Sequence, residues 1–419
     1  MNTDYNLEEV NEMNFLWGIV GIVSVLAFAY LISLDRKQIY IRTILGALAI
    51  QIIFAFLTLK STAGRAALEW ISSVFTGIVD YANEGISFIF DPLVGDGAVF
   101  AFEILTIIIF FSSLISILYY LGIMQLFINI IGGFLSKLLK TTKIESLAAS
   151  ANIFVSHTEA PLVVKPFIKK MHQSELFAMM VGGFGSVSGS VLVGYSLMGI
   201  PLEYLLAATF MSAPAGLLIA KIIIPLPKDA REELIENGKN VKIESSDEDK
   251  PANVIDAAAT GASTGLKMAI EVAGALLAFV AIIALINGML GYVGGFFGFD
   301  LTLEAIFGFI LAPLAFLIGV PWEEAMSAAQ FIGQKIAVNE FVAFANLGEV
   351  IDTFSDKTVM ILSFALAGFA NLGSIAIQIG SLSTLAPNRR AEVSRLGFRA
   401  MVGGCLVSLL NAAIAGMFI

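Results

Sequence analysis

Two short polar clusters interrupt a strongly apolar sequence, and their residue types could bind an ion and a polar solute. The first, NIFVSHTEAPLVV at 152–164, gathers an amide, two hydroxyls, an imidazole and a carboxylate. The second, NEFVAF at 339–344, places Asn339 and Glu340 among apolar neighbours. Such groups cost free energy in apolar surroundings unless each one finds a partner. Both clusters are therefore candidate binding sites.

The groups around Asn152 favour a small monovalent cation. Where the chain leaves a helix, the last backbone carbonyls lack partners. Free carbonyls near 152–155 and 186–187, with the side-chain oxygens of Asn152 and Ser186, would form an uncharged oxygen cage. Hard, oxygen-only ligands without net charge suit Na⁺. We predict a sodium site there.

A different chemistry is indicated further along the chain. Glu340, Asn371 and Ser374 offer a carboxylate, an amide and a hydroxyl, which suit the hydroxyl groups of a sugar ring. Phe369 would supply an apolar face beside them. The residues of the first cluster supply the mixed donors and acceptors that a heterocyclic edge requires, namely His157, Thr158 and Glu159. Together these groups predict an uncharged solute with two chemically different ends.

Simpler roles remain open for three of the polar residues. Glu159 could serve only as the N-terminal cap of a short helix. His157 could be a packing residue. Lys335 could either extend its ammonium towards water or neutralise Glu340, and the sequence does not choose between them.

The composition predicts a polytopic membrane protein. The 419 residues are 58% hydrophobic and 14% charged, with a mean hydropathy of +0.87. Soluble domains contain roughly 45–50% apolar residues. Because Cys405 is the only cysteine, a disulfide framework is excluded. The N-terminal apolar stretch is expected to be a first transmembrane helix and not a cleaved signal.

Eight apolar stretches are long enough to cross about 30 Å of hydrocarbon. They lie near 14–34, 41–59, 99–120, 175–198, 203–225, 265–290, 358–384 and 397–418. Short loops rich in Lys and Arg face the cytoplasm. Such residues cluster around 36–42, 137–143, 165–170 and 389–399, so both termini are predicted outside. The polar segment 228–250 then becomes a cytoplasmic, solvated linker.

This orientation holds only if 144–164 enters and leaves from inside, and 321–345 from outside. Both segments are therefore predicted to be re-entrant hairpins, which are tolerated only inside protein or beside a cavity. Each hairpin contains N-x-F-V and is followed by a glycine-rich interruption of a span, GGFGSVSGS (182–190) or GFANLGS (368–374). The two halves thus form an inverted repeat, an arrangement in which secondary transporters bind substrates and ions.

Enzyme and pump motifs are missing from the sequence. It contains no H-E-x-x-H, no G-x-S-x-G and no G-x-x-x-x-G-K-[ST]. Without an ATP-binding loop, transport would depend on an ion gradient. We therefore predict a transporter and not an enzyme, with no cofactor beyond the coupling ion and no nucleic-acid partner.

GQKIAVNEFVAF at 333–344 closely resembles the G-x-K-x-x-x-N-E-F-V-A-[YMF] signature of the concentrative nucleoside transporters. SHTEAPLVV resembles their G-Q-T-E-A-P-L-V-V. PANVIDAAA (251–259), PLAFLIGVPW (313–322) and GFANL (368–372) are similar to the bacterial sodium-coupled members. The resemblance covers essentially the whole chain.

This resemblance implies a homotrimer in the cell inner membrane, importing nucleosides with Na⁺ by an elevator-type movement. It makes 121–139 and 303–320 interfacial helices. Scaffold spans 1–3 would lie in 1–120, and scaffold span 6 in 251–302. The first transport repeat would occupy 121–227, the cytoplasmic loop 228–250, and the second transport repeat 303–419.

By motif position, the resemblance gives Glu340, Asn371 and Ser374 to the ribose, with Phe369 nearby. The same matching gives the nucleobase to Ser156, His157, Thr158 and Glu159, and sodium to Asn152, Val155, Ser186 and Val187. Ser156 replaces the Gly of many members and His157 replaces their Gln. Ser156 resembles the pyrimidine-preferring members, so uridine-like substrates are expected. Proton coupling, or less plausibly a passive channel for polar solutes, remains the alternative.

Overall fold

Helices make up all the regular secondary structure in the part of the chain that the computed structural model describes, residues 2–90, 100–238, 251–298 and 301–419. The first part contains α1 (Asn2–Leu31), α2 (Ile41–Ala55), α3 (Thr62–Phe90), α4 (Phe100–Tyr120) and α5 (Ile123–Leu139). The helix α2 continues through a π-helical turn to Lys60. The all-α prediction is therefore confirmed.

The predicted first transport repeat, which begins with α5, continues as α6 (Lys143–Ala151), α7 (Ala160–Val163), α8 (Lys165–Ile168), α9 (Gln173–Phe184), α10 (Gly189–Leu197) and α11 (Leu202–Ile223). Next come α12 (Lys228–Gly238) and the long α13 (Val254–Gly295). The predicted second transport repeat contains α14 (Leu303–Leu317), α15 (Trp322–Ala337), α16 (Glu340–Val350), α17 (Asp356–Leu366), α18 (Leu372–Leu385) and α19 (Arg390–Ala415).

Six segments in the described residues are long and apolar enough to cross a membrane: α1, α2, α9 with α10, α11, α13 and α19. Two bent helix pairs, α4 with α5 and α14 with α15, raise the number to eight if each pair is counted as one span, and α18 is a shorter apolar helix. After α4 the chain turns by 77° into α5, and between α14 and α15 it turns by 116°. These bends separate α5 and α14, the two helices predicted to be interfacial, from α4 and α15.

Both re-entrant hairpins are present, and they differ in shape. In hairpin 2, α15 and α16 are regular helices separated only by Val338 and Asn339. In hairpin 1, α6 ends at Ala151, and the return arm is two short helices instead of one. Each short helix has a proline in its first turn, Pro161 and Pro166, where the missing N–H costs little. Pro161 thus lies in the first turn of the return arm.

Three elements differ from the sequence expectation. The helix α3 was not expected. Charged residues such as Arg65, Glu69 and Asp80 interrupt its apolar residues, which line one face of the helix and form no continuous apolar run. Span 6 was placed at 265–290, but α13 has 42 residues. At 1.5 Å per residue it extends about 63 Å, well beyond the hydrocarbon layer. In the predicted linker, 228–238 is helical and 239–250 lies outside the described residues.

A buried ionic network fixes hairpin 1 to the two spans behind it. Lys221, near the end of α11, forms an ion pair with Glu145 of α6, and their side chains are 6% and 0% exposed. Lys221 Nζ also donates to Ser174 Oγ at 2.8 Å, at the start of α9. Thr142 N donates to Glu145 Oε1 at 2.8 Å, which completes a capping box on α6. The hairpin is thereby tied to both neighbouring helices.

Lys221→Met is expected to destabilise the protein strongly, because it leaves the Glu145 carboxylate buried without its cation. Breaking a buried ion pair in this way costs about 3–5 kcal/mol. Thermal unfolding of the detergent-purified protein measures the loss. Adding Glu145→Gln should recover much of it, and Lys170→Met at an exposed lysine is the matched control. Equal melting temperatures for Lys221→Met and wild type would contradict this role.

Candidate binding site for ion and solute

The tip of hairpin 1 presents buried polar atoms without partners. Asn152 follows α6 directly and is 1% exposed, and Ser186, in the break between α9 and α10, is also 1% exposed. Among the described residues, neither the amide atoms of Asn152 nor Ser186 Oγ have a hydrogen-bond partner. Unsatisfied buried oxygens are costly unless they bind something. The side-chain oxygens of Asn152 and Ser186 therefore fit as ligands of a hard, desolvated cation.

Close packing holds Asn152 against the broken span. A Cβ on Gly182 would lie only 2.9 Å from Asn152 Nδ2, so the glycine makes room for the amide. Gly189 N, at the start of α10, donates to Phe154 O at 3.1 Å and joins the hairpin tip to the break. Val155 and Val187 are buried in the same region, 5% and 0% exposed. The structure thus places the four predicted sodium ligands where the hairpin meets the break.

The second polar cluster forms around the Glu340 carboxylate. Glu340 is the first residue of α16, where the helix dipole favours a negative charge. Its Oε2 accepts from Asn371 Nδ2 at 3.4 Å. Asn371 Oδ1 in turn accepts from Ser374 N at 2.8 Å, which caps the start of α18. The structure therefore brings together the three residues predicted to bind a sugar, with Ser374 joined through its backbone N–H.

One partner of this carboxylate carried no sequence signal. Tyr195, in α10, is fully buried and its hydroxyl donates to Glu340 Oε1 at 3.0 Å. Its ring also lies 4.9 Å from the ring of Phe341. A tyrosine in an apolar helix is ordinary in sequence, and only the packing of α10 against α16 reveals its role.

The two breaks meet at Phe369. Its backbone N–H donates to Ser186 O at 3.2 Å, so the interruption between α17 and α18 is bonded to the interruption between α9 and α10. The Phe369 ring lies 5.0 Å from the His157 ring, measured between centroids. Phe369 therefore connects all three predicted groups, for the ion, the sugar and the base.

The predicted base-binding residues are partly bonded to one another. Ser156 Oγ donates to Glu159 Oε2 at 3.0 Å and lies 2.8 Å from Thr158 Oγ1. Ser156 N also donates to Glu159 Oε2, at 3.1 Å. Glu159 precedes α7, yet its side chain makes no cap bond to that helix. Its structural role is to hold the Ser156 turn and not to cap the return arm.

His157 is only 7% exposed, and neither ring nitrogen has a hydrogen-bond partner among the described residues. Gln378, in α18, lies beside it: a Cβ on Gly183 would be 2.8 Å from His157 Cβ and 3.1 Å from Gln378 Nε2. Gln378 Nε2 donates to Met180 O at 3.1 Å. Ser381, one turn later, donates to Thr158 O at 3.2 Å. Hairpin 1 is thus supported by α18, a contact that the sequence did not suggest.

Family models match this chain over most of its length. Residues 204–416 match the model described as Na⁺ dependent nucleoside transporter C-terminus, and residues 20–93 match its N-terminal counterpart. Residues 101–202 match a nucleoside recognition (Gate) model. The chain belongs to the sodium-dependent nucleoside transporter family. It is a multi-pass membrane transporter and not an enzyme.

Relatives of this transporter are similar over nearly its full length. The nucleoside permease NupC of Helicobacter pylori is 48% identical, over 96% of this chain and 98% of the permease. The uncharacterized transporter YutK of Bacillus subtilis is 54% identical, over 97% and 100%. A structure of CNTnw in an inward-facing substrate-bound state superposes with a TM-score of 0.90 at 48% identity, covering 97% of this chain and 98% of CNTnw.

In this transporter, Tyr195→Phe is expected to weaken nucleoside binding by about tenfold. The substitution removes a hydrogen bond to a charged group, worth about 1.5–3 kcal/mol, and leaves the Glu340 carboxylate less firmly oriented. Equilibrium binding to the purified protein at saturating Na⁺ measures the change. Tyr204→Phe, at a half-buried tyrosine of α11, is the control. Wild-type affinity in Tyr195→Phe would contradict this role.

Proposed function

We propose that this transporter imports nucleosides together with Na⁺ and prefers pyrimidine nucleosides such as uridine. The observation that carries the proposal is the hydrogen bond from Phe369 N to Ser186 O at 3.2 Å. Through it, the backbone that carries the predicted sugar ligands is bonded to the backbone that carries the predicted sodium ligands. An ion that orders one break would order the other, which is the requirement for coupled transport.

Sodium would be held by the side-chain oxygens of Asn152 and Ser186 and by the carbonyls of Val155 and Val187. This assignment is supported because the side-chain polar atoms of Asn152 and Ser186 have no hydrogen-bond partner among the described residues. A site with no formal charge binds a monovalent ion weakly enough to release it. Proton coupling would instead require a titrating group, and the cage of amide, hydroxyl and carbonyl oxygens contains none.

The ribose hydroxyls would bind Glu340, Asn371 and Ser374, with Phe369 packing beside the sugar. The bonds from Tyr195 and Asn371 to the two carboxylate oxygens support this, because they hold Glu340 in one orientation. A buried site built to hydrogen-bond sugar hydroxyls rejects analogues that lack them, since its polar groups would stay unpaired.

The nucleobase would lie against hairpin 1, facing Ser156, His157, Thr158 and Glu159. The His157 ring beside Phe369 supports a base position adjacent to the sugar. Ser156 is 4% exposed and bonded to Glu159, so its side chain is fixed in place. A fixed hydroxymethyl group at this point narrows the space for the larger purine ring system.

Movement would follow an elevator-type alternating-access mechanism within a homotrimer of the cell inner membrane. The scaffold would comprise 1–120 and 251–302, and the moving part 121–227 and 303–419, with the 228–250 loop and both termini oriented as the basic loops predict. Solved structures of CNTnw in inward-facing, intermediate and outward-facing states have TM-scores of 0.90, 0.90 and 0.93 to this chain. That likeness supports alternating access by the same architecture.

Proteoliposomes containing this transporter should concentrate radiolabelled uridine when an inward Na⁺ gradient is imposed, and should not do so without it. Asn152→Ala should raise the Na⁺ concentration for half-maximal uptake by about tenfold, because a ligand of the cation is lost. Asn129→Ala, at a half-buried asparagine of the interfacial helix α5, is the matched control.

Three results would contradict this proposal. Uptake driven by a pH gradient and indifferent to Na⁺ would establish proton coupling. Passive equilibration without concentration of uridine would establish a channel. Unchanged Na⁺ dependence in Asn152→Ala would refute the sodium site while leaving Na⁺-coupled transport intact.

Competition in the same vesicles tests the pyrimidine preference. Excess unlabelled uridine or cytidine should block uptake, and adenosine should compete about tenfold more weakly, because Ser156 restricts the base pocket. Ser156→Gly should improve adenosine competition, since it removes the restricting side chain, whereas His157→Gln retains that side chain. Adenosine exchanged as well as uridine in counterflow by the wild-type protein would refute the preference.

A further inference from the structure

Lys335 is buried in the interior of the fold, where its side chain bonds to two neighbouring polar groups. The residue lies in the last turn of α15 and is 2% exposed. Among the described residues, its ammonium donates to Ala365 O at 2.8 Å and to Ser408 Oγ at 2.9 Å. It thus neither extends to water nor bonds the Glu340 carboxylate, whose oxygens accept from Tyr195 and Asn371.

The bonds of Lys335 satisfy carbonyl groups at the C-terminal end of the half-helix α17. The helix α17 stops at Leu366 inside the protein, so its last carbonyls have no helical partners and form the negative end of the helix dipole. Lys335 satisfies Ala365 O directly. Ser408 Oγ accepts from Lys335 and donates to Ala367 O at 3.0 Å, which extends the cap by two residues. One ammonium and one hydroxyl therefore fix the backbone where the span breaks.

The segment that follows this cap carries both predicted sites. Gly368 has φ +155°, and a Cβ there would lie 2.7 Å from Ser408 Oγ, so the chain turns directly against the capping hydroxyl. The next residue, Phe369, bonds Ser186 O, and Asn371 bonds Glu340. Any shift of Ala365–Ala367 would move the sugar ligands and the sodium ligands together.

We propose that Lys335 is a positioning residue: together with Ser408 it holds the break between α17 and α18 so that the sodium and nucleoside sites are aligned at once. This inference rests on the proposed Na⁺-coupled nucleoside transport. Lys335 itself need touch neither the ion nor the solute. It acts on both through the backbone of 365–371.

The test measures two constants in reconstituted vesicles: the KM for uridine at saturating Na⁺, and the Na⁺ concentration for half-maximal uptake at saturating uridine. Lys335→Met keeps the length of the side chain and removes both hydrogen bonds. It is expected to raise both constants by about tenfold, the effect of losing a charged hydrogen bond. Asn152→Ala, by contrast, should change the Na⁺ constant alone.

Ser408 provides a second pair of variants, which keep the Lys335 ammonium in place. Ser408→Ala is expected to raise both constants in the same direction as Lys335→Met, by about threefold, since Lys335 keeps its bond to Ala365 O and only the bonds through the Ser408 hydroxyl are lost. Ser408→Thr keeps a hydroxyl and should recover most of that loss. Lys170→Met, at an exposed lysine, controls for removal of a positive charge. If Lys335→Met does not fold, the Ser408 pair decides by the same constants.

Unchanged constants with a lower maximal rate would overturn the inference, because they indicate fewer folded molecules and not misaligned sites. A change in only one constant would overturn it as well, since the cap acts on a shared segment. Failure of the wild-type protein to take up uridine with Na⁺ would instead refute the proposed function. The variants are compared only with a wild type that passes this test.

Discussion

The half-helix ends at the two breaks, between α9 and α10 and between α17 and α18, must be satisfied in the interior of this protein, and the rest of the structure depends on how that is done. Away from water, an unpaired carbonyl or N–H costs several kcal/mol, so a broken span is stable only where side chains or other backbone replace its lost bonds. Phe369 N bonds Ser186 O, Asn371 caps α18, and Lys335 with Ser408 caps α17. The breaks thereby stabilise each other.

This mutual support has a functional consequence. Some residues that cap the half-helices are themselves proposed to bind the solute. The others are direct neighbours of such residues. Asn371 both caps α18 and bonds Glu340, and Ser186 offers a backbone carbonyl to Phe369 while its hydroxyl remains without a partner in the described structure. A ligand bound at one break would therefore act on the bonding of the other. Ion coupling can arise from this geometry without any covalent chemistry.

The two repeats solve the same problem with different chemistry. Hairpin 1 is anchored by a buried ion pair between Lys221 and Glu145, at the far end of the hairpin from the site. Hairpin 2 uses its buried lysine, Lys335, at the break itself. The first hairpin returns through two short proline-containing helices, whereas the second has two regular helices. The asymmetry is compatible with the proposed roles, in which hairpin 1 faces the base and hairpin 2 positions the Glu340 carboxylate for the sugar hydroxyls.

Hydropathy, loop charge and motif spacing determined a great deal from the sequence alone. They predicted the all-α membrane fold, both hairpins, the broken spans and the inverted repeat, because burial in lipid restricts backbone to helices and makes any polar exception conspicuous. They missed α3 and the full length of α13, because an amphipathic or over-long helix gives no distinctive apolar run.

Tertiary structure alone decided the partners of each polar group. Tyr195 on Glu340, Gln378 beside His157, and Lys335 on Ala365 O join residues far apart in the chain. Such pairings depend on how helices pack, and packing direction is not encoded in any local pattern of residue types.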